Sequence, residues 1–137
     1  VELAQEINGR MPVYVADRVM HLLNDDGLAL RGSRVLLLGV TYKADVADQR
    51  ESPSLVVAER LLALGARVSY HDPFIPEWDV AGERLFSVPD LDTALTEAAV
   101  TVILQTHCHY DLDVVAKYAQ RVLDTCGRAG GANVTRL

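Results

Sequence analysis

The 137-residue chain is long enough for one domain with a packed core and too short for two ordinary ones. Half of its residues are apolar, and 13 basic against 19 acidic residues leave a net charge of −6, a balance that argues against nucleic acid or an anionic membrane as the main partner. Two cysteines, Cys108 and Cys126, are too few for a disulfide framework or a zinc site, and with no membrane-length apolar run and no signal-peptide pattern the expectation is a cytoplasmic protein with reduced thiols.

Val1 leads directly into a helical pattern, as expected for a piece of a longer protein. From Glu2 to Asp26, the residues Leu3, Ile7, Met11, Val15, Val19, Leu22 and Leu23 recur every three or four positions. That spacing predicts an amphipathic helix. Pro12 lacks an N–H and predicts a break or kink around Asn8 to Met11, with Pro12 opening the second part. Gly27 is the expected left-handed stop. Its apolar face is either core or an interface, and because this helix precedes the compact unit an interface is preferred.

Val35-Leu36-Leu37-Leu38 reads as a buried strand that stops at Gly39. A polar loop follows, carrying Lys43, Asp45, Asp48, Arg50 and Glu51. Ser52 as N-cap, Pro53 as first helical residue and Gly65 as stop frame a helix around Leu55, Ala58, Leu61 and Leu62. Arg67 to His71 alternates as a second strand and halts at Asp72-Pro73. Strand, helix and strand together predict one right-handed crossover of a parallel sheet. Phe74 to Pro89 is proline-rich and reads as a long loop with a short strand at Leu85-Phe86. Leu91 to Ala98 predicts a helix capped by Asp90, Val100 to Leu104 a buried strand, and Asp111 to Tyr118 another helix. Arg121 to Asp124 is a further strand, and a last one includes Asn133-Val134. The sum is an α/β domain with a doubly wound parallel sheet, residues 28–137, preceded by a projecting helix, residues 1–27.

This architecture places ligands at the carboxyl ends of its strands. Polar residues arrive there four times: the Tyr42 to Arg50 loop, His71-Asp72, Thr106-His107 and Asp124. The dinucleotide fingerprint is absent, since Gly39 has no second or third glycine at the required spacing. Any phosphorylated ligand must therefore rely on side chains and helix N-termini. Lys43 and Arg50 are the best cations for that task. Their bland alternative is pairing with Asp45, Asp48 and Glu51 in surface salt bridges. On the extended Thr106-His107-Cys108-His109 segment His107 and His109 could converge while Cys108 would point away, and with His71 they have no fourth ligand at zinc spacing, so no metal is expected. Cys108 as a nucleophile lacks an orienting partner, and Asp72-Pro73 reads as a strand terminator rather than a base.

Taken together, Gly39-Val40-Thr41-Tyr42-Lys43, Asp48-Gln49-Arg50-Glu51-Ser52-Pro53, Leu64-Gly65-Ala66-Arg67-Val68 and His71-Asp72-Pro73 resemble the C-terminal, UDP-binding domain of nucleotide-sugar dehydrogenases. Asn8, Pro12, Thr106-His107 and Val122-Leu123-Asp124 look like further landmarks of that family. The resemblance implies a Rossmann-like domain. It also implies an intact enzyme that oxidises the sugar's 6-hydroxymethyl group to a carboxylate in two steps with two NAD⁺. An upstream cysteine would form the thiohemiacetal and thioester. For this chain it implies that Tyr42 and Lys43 bind the UDP-sugar and that Arg50 reaches towards the NAD held by an N-terminal domain. The leading helix would join the domains and build a homodimer. Neither Cys108 nor Cys126 matches the family's nucleophile, so the chain alone is expected to be catalytically silent. Many members carry an arginine where this chain has Cys126, with Arg128 two residues on. The Tyr-Lys-Ala-Asp-Val form of the loop leans towards the N-acetylhexosamine branch. Two rival readings stand beside this one: a stand-alone NAD-binding domain, opposed by the missing glycines, and a non-catalytic dimerisation module built on the leading helix.

Overall fold

The computed structural model describes residues 2–41, 53–107 and 110–136, with side chains from Val13 onward. The chain runs α1 (Glu2–Asp25), β1 (Arg34–Leu38), α2 (Pro53–Ala63), β2 (Arg67–His71), β3 (Glu77–Val80), β4 (Glu83–Phe86), α3 (Leu91–Glu97), β5 (Val100–Ile103), α4 (Leu112–Tyr118), β6 (Val122–Asp124) and β7 (Val134–Arg136). Five strands form one sheet in the order β2-β1-β5-β6-β7, and every neighbouring pair is parallel. Val35 of β1 stands opposite Val68 on one side and Val100 on the other.

Strand β1 is apolar throughout because both of its faces are covered. Val35 and Leu37 join Val100, Val102 and Leu123 in one core, which α1 and α2 close with Val15, Val19, Leu23, Val57 and Leu61. Leu36 and Leu38 join Ile103 and Val122 in a second core under Leu95 of α3 and Val115 of α4. A parallel sheet needs helices on both faces, and an unbroken apolar run is its sequence signature. The short helices are fixed by their caps. Asp90 accepts the N–H of Thr93, and Asp111 accepts those of Asp113 and Val114. The doubly wound α/β fold expected from the sequence is the one formed.

Three expectations are corrected. Helix α1 is continuous from Glu2 to Asp25, so Pro12 does not break it. Proline removes one hydrogen bond and crowds one carbonyl, a cost of roughly 3 kcal/mol in a helix interior. The turns on either side and the buried second half of α1 outweigh that cost. Second, Val15 and Val19 are 0% exposed and belong to the domain's own core, not to an interface. Third, Phe74 to Pro89 is more than a long loop with one short strand: the strand expected at Leu85-Phe86 forms as part of β4, and β3 pairs with it as an antiparallel hairpin. Ala81 and Gly82 turn it with φ of 51° and 82°, the two positive values a tight two-residue turn demands. Trp78 and Val80 bury into the α1/α2-side core, and the Trp78 ring meets Tyr70 edge-on at 5.3 Å. The Val88 N–H donates to the carbonyl of Tyr70, so the return from the hairpin lies along β2. The outermost parallel strand is thereby protected.

Candidate functional site

Strand β1 sends its crossover to β2 on one side, while the later strands of this sheet, β5 to β7, add on the other. The switch point therefore lies between β1 and β5, at their carboxyl ends, where this architecture opens its ligand crevice. The two loops leaving those strands touch at Gly39. Its φ is 76°, and a Cβ there would stand 2.6 Å from the carbonyl oxygen of Gln105. Leu104 and Gln105 both donate to the carbonyl of Leu38, and Gly39 donates to that of His71. Gly39 thus serves close packing of loop on loop. The space a pyrophosphate would need beside it is filled by Gln105, and no further glycine follows at fingerprint spacing. These residues do not fit the phosphate cradle of a dinucleotide.

Asp72, just past β2, is 2% exposed. Its Oδ2 accepts the Val40 N–H at 2.7 Å and faces His107 Nε2 at 3.0 Å, while Oδ1 accepts the Phe74 N–H at 2.8 Å. His107 is 1% exposed and also stands 3.3 Å from the Thr41 hydroxyl. Phe74 meets its ring edge-on, and Tyr110 lies across at a tilt. A second tie runs alongside. The Tyr110 hydroxyl donates to the His71 carbonyl at 2.7 Å, which leaves its oxygen to accept from His71 Nδ1 at 2.9 Å. Burial, reinforced by the charge of Asp72, pushes the Tyr110 hydroxyl far above its ordinary pKa and keeps it a donor.

At the end of β6 the carboxylate of Asp124 is 1% exposed and occupied by backbone. Oδ1 accepts the N–H groups of Cys126 and Gly127, and Oδ2 those of Arg128 and Ala129, all within 3.0 Å. This carboxylate shapes a loop and has no reach left for a ligand. Cys126 is half-buried, with its thiol turned to the Leu104 carbonyl. Burial pushes that thiol's pKa up, the opposite of what activates a nucleophile. Arg128 is exposed.

Tyr42, Lys43 and Arg50 lie outside the described residues, as do Asp45, Asp48, Glu51, Ser52, Cys108 and His109. What is positioned are the two ends of that loop: Thr41, buried at its entry, and Pro53-Ser54, which open α2 at its exit. Asp72 ends a strand as expected. Its pairing with His107, 35 residues away, was not anticipated from the sequence. The available signal was strand order, since Asp72 and His107 follow the strands that flank β1. Among the described residues, no group of three or more His, Cys, Asp or Glu side chains is arranged to hold a metal.

With this geometry in hand, the likeness to known proteins is specific. The model for the UDP binding domain of the UDP-glucose/GDP-mannose dehydrogenase family matches residues 36–129. A UDP-N-acetyl-D-mannosamine dehydrogenase of Methanocaldococcus jannaschii is 31% identical over 110 residues, 80% of this chain and 23% of that protein. A UDP-glucose 6-dehydrogenase of Bacillus subtilis is 34% identical over 68 residues, 50% of this chain and 14% of that one. Among solved structures, the UDP-N-acetyl-mannosamine dehydrogenase of Staphylococcus aureus superposes with a TM-score of 0.71 at 29% identity, covering 96% of this chain and 31% of that one. The chain spans less than a third of the length of each of these relatives.

Proposed function

Since the chain belongs to the UDP-glucose/GDP-mannose dehydrogenase family and carries its UDP-binding domain, we propose that it is the nucleotide-sugar-binding, C-terminal part of an NAD-dependent UDP-sugar 6-dehydrogenase. One observation carries this reading. The family match begins within β1 and ends just past β6, so it spans every loop of the switch-point edge. The reaction would take the sugar C6 hydroxymethyl to a carboxylate by two successive two-electron oxidations, giving a uronic-acid donor for polysaccharide synthesis. The names of the matched relatives favour UDP-N-acetylmannosamine as substrate, with UDP-N-acetylglucosamine and UDP-glucose as the other candidates.

In this reading Tyr42 and Lys43 contact the UDP-sugar, and Arg50 faces NAD held mainly by an N-terminal domain outside this chain. The misfit of the Gly39 turn to a dinucleotide phosphate supports that division and weakens the reading as a stand-alone NAD-binding domain. The nucleophilic cysteine would also come from outside, since neither Cys108 nor Cys126 matches the family's nucleophile and burial pushes the Cys126 thiol's pKa up. A homodimer through α1 would use faces the core leaves open, where Val13, Tyr14 and Met20 are exposed. No helix among the described residues is long and apolar enough to cross a membrane, which is compatible with the cytoplasmic location proposed.

Thermal unfolding with UDP, UDP-glucose and the two UDP-N-acetylhexosamines tests the reading. A ligand at a hundredfold excess over its dissociation constant should stabilise the fold by about 2.7 kcal/mol. Lys43→Ala should lose most of that gain. A folded protein that responds to none of the four nucleotides would refute the assignment.

A further inference from the structure

We propose that His107 is a positioning residue for the UDP-sugar site. Held by Asp72, it fixes the backbone at Val40 and Thr41, from which the loop carrying Tyr42 and Lys43 departs. This deepens the function proposed above and rests on it.

The argument begins with hydrogen-bond chemistry. A carboxylate only accepts, so the 3.0 Å contact between Asp72 Oδ2 and His107 Nε2 requires the proton on Nε2. The same oxygen accepts the Val40 N–H at 2.7 Å. One oxygen atom thus joins the loop after β5 to the loop after β1, and its carboxyl group belongs to the loop after β2. Phe74 N–H on the other oxygen fixes the carboxylate plane. Both side chains of the pair are 0% exposed, so neither meets bulk solvent. Removing His107 would leave a buried carboxylate short of a donor, and its grip on Val40 would be the nearest thing to adjust.

Location separates this pair from ordinary core bracing. Val40 is three residues before Lys43, and Thr41 stands 3.3 Å from the same imidazole nitrogen. Gly39 lies so close to the Gln105 backbone that a Cβ would collide with it, and the Asp72–His107 pair holds the next two residues, Val40 and Thr41.

The test uses the natural full-length polypeptide and three variants. His107→Leu keeps bulk and removes the donor. His107→Gln puts an amide N–H near the place of Nε2. His107→Asn keeps polarity but falls short of Asp72, and it is read in the same way if the leucine variant does not fold. Calorimetric titration with UDP should show affinity falling about tenfold or more in His107→Leu, with His107→Gln recovering to within roughly threefold. Amide hydrogen exchange without ligand should quicken at Val40 and Thr41, while β1 and β5 stay protected. A merely structural histidine would lower the melting temperature and leave UDP affinity and this exchange pattern alone, and wild-type UDP affinity in His107→Leu overturns the proposal. If the wild-type protein itself binds no UDP, the functional reading fails. Exchange then decides positioning separately, and unchanged protection at Val40 and Thr41 overturns it.

Discussion

Gly39 meets two demands at once, a left-handed backbone and the absence of a side chain, and these can be separated by experiment. Gly27, after α1, has a similar φ of 74° with nothing within 4 Å of an added Cβ, so Gly27→Ala should cost only the conformational penalty of about 1 kcal/mol. Gly39→Ala adds a collision with the backbone of Gln105 at 2.6 Å and should cost about 3 kcal/mol or more. Urea unfolding of the two variants measures the difference, and equal losses would mean that the loop after β5 moves aside freely. Legibility at this scale was uneven. That Gly39 stops the strand could be read directly from Val35 to Gly39. That it is the hinge of loop-on-loop contact depends on Gln105, which is distant in sequence. The Asp72–His107 pair was hidden for the same reason. Asp72 read as a strand terminator and His107 as one of a group of histidines weighed for a metal until the order of strands brought them to either side of β1.

Helices α1 and α2 and the parallel strands could be read from periodicity, because each buries a regular face. The destination of α1 could not. A helix preceding a compact unit shows an apolar stripe whether it faces that unit or a second molecule. Here Val15, Val19 and Leu23 face inward at 0% exposure. Val19→Asp should therefore unfold the domain, at a cost of about 4 kcal/mol or more, instead of dissociating an otherwise folded assembly. The neighbouring Met20, 40% exposed, gives the contrast. Met20→Asp should shift stability by about 0.5 kcal/mol or less in the monomer. Denaturant midpoints together with solution size check both, and a folded monomer carrying Val19→Asp would return α1 to the interface reading. Of the hairpin β3–β4 only the strand at Leu85-Phe86 was legible; β3 and the pairing escaped notice because the strands are only four residues long, lie between Pro76 and Pro89, and turn on Ala81 in place of the usual asparagine or aspartate. For β3, Trp78 and Val80, alternating with acids, were the hint.

At the scale of the whole molecule, one surface pair links distant parts. Arg121, at the approach to β6, holds Asp26, just past α1, through two bonds of 2.6 and 2.8 Å, with the side chains 28% and 35% exposed. The hydrogen bonds from Arg121 hold the Asp26 carboxyl below its ordinary value of 3.8. A depressed folded-state value means that this stabilisation is complete above the ordinary range and is lost as pH falls through the lowered value. The stability gap between wild type and Asp26→Asn should therefore be open near neutral pH and close in acid, as urea midpoints at the two extremes will show. A gap that persists in acid would mean that Asp26 acts through something other than its charge. The strand order β2-β1-β5-β6-β7 has a consequence of its own. Once β1 and β2 have paired, each later parallel strand joins an open margin of the existing sheet, and none is inserted between two strands already bonded. A chain emerging from the ribosome, N-terminus first, can lay down this sheet in the order in which it is synthesised, without undoing any ladder it has made.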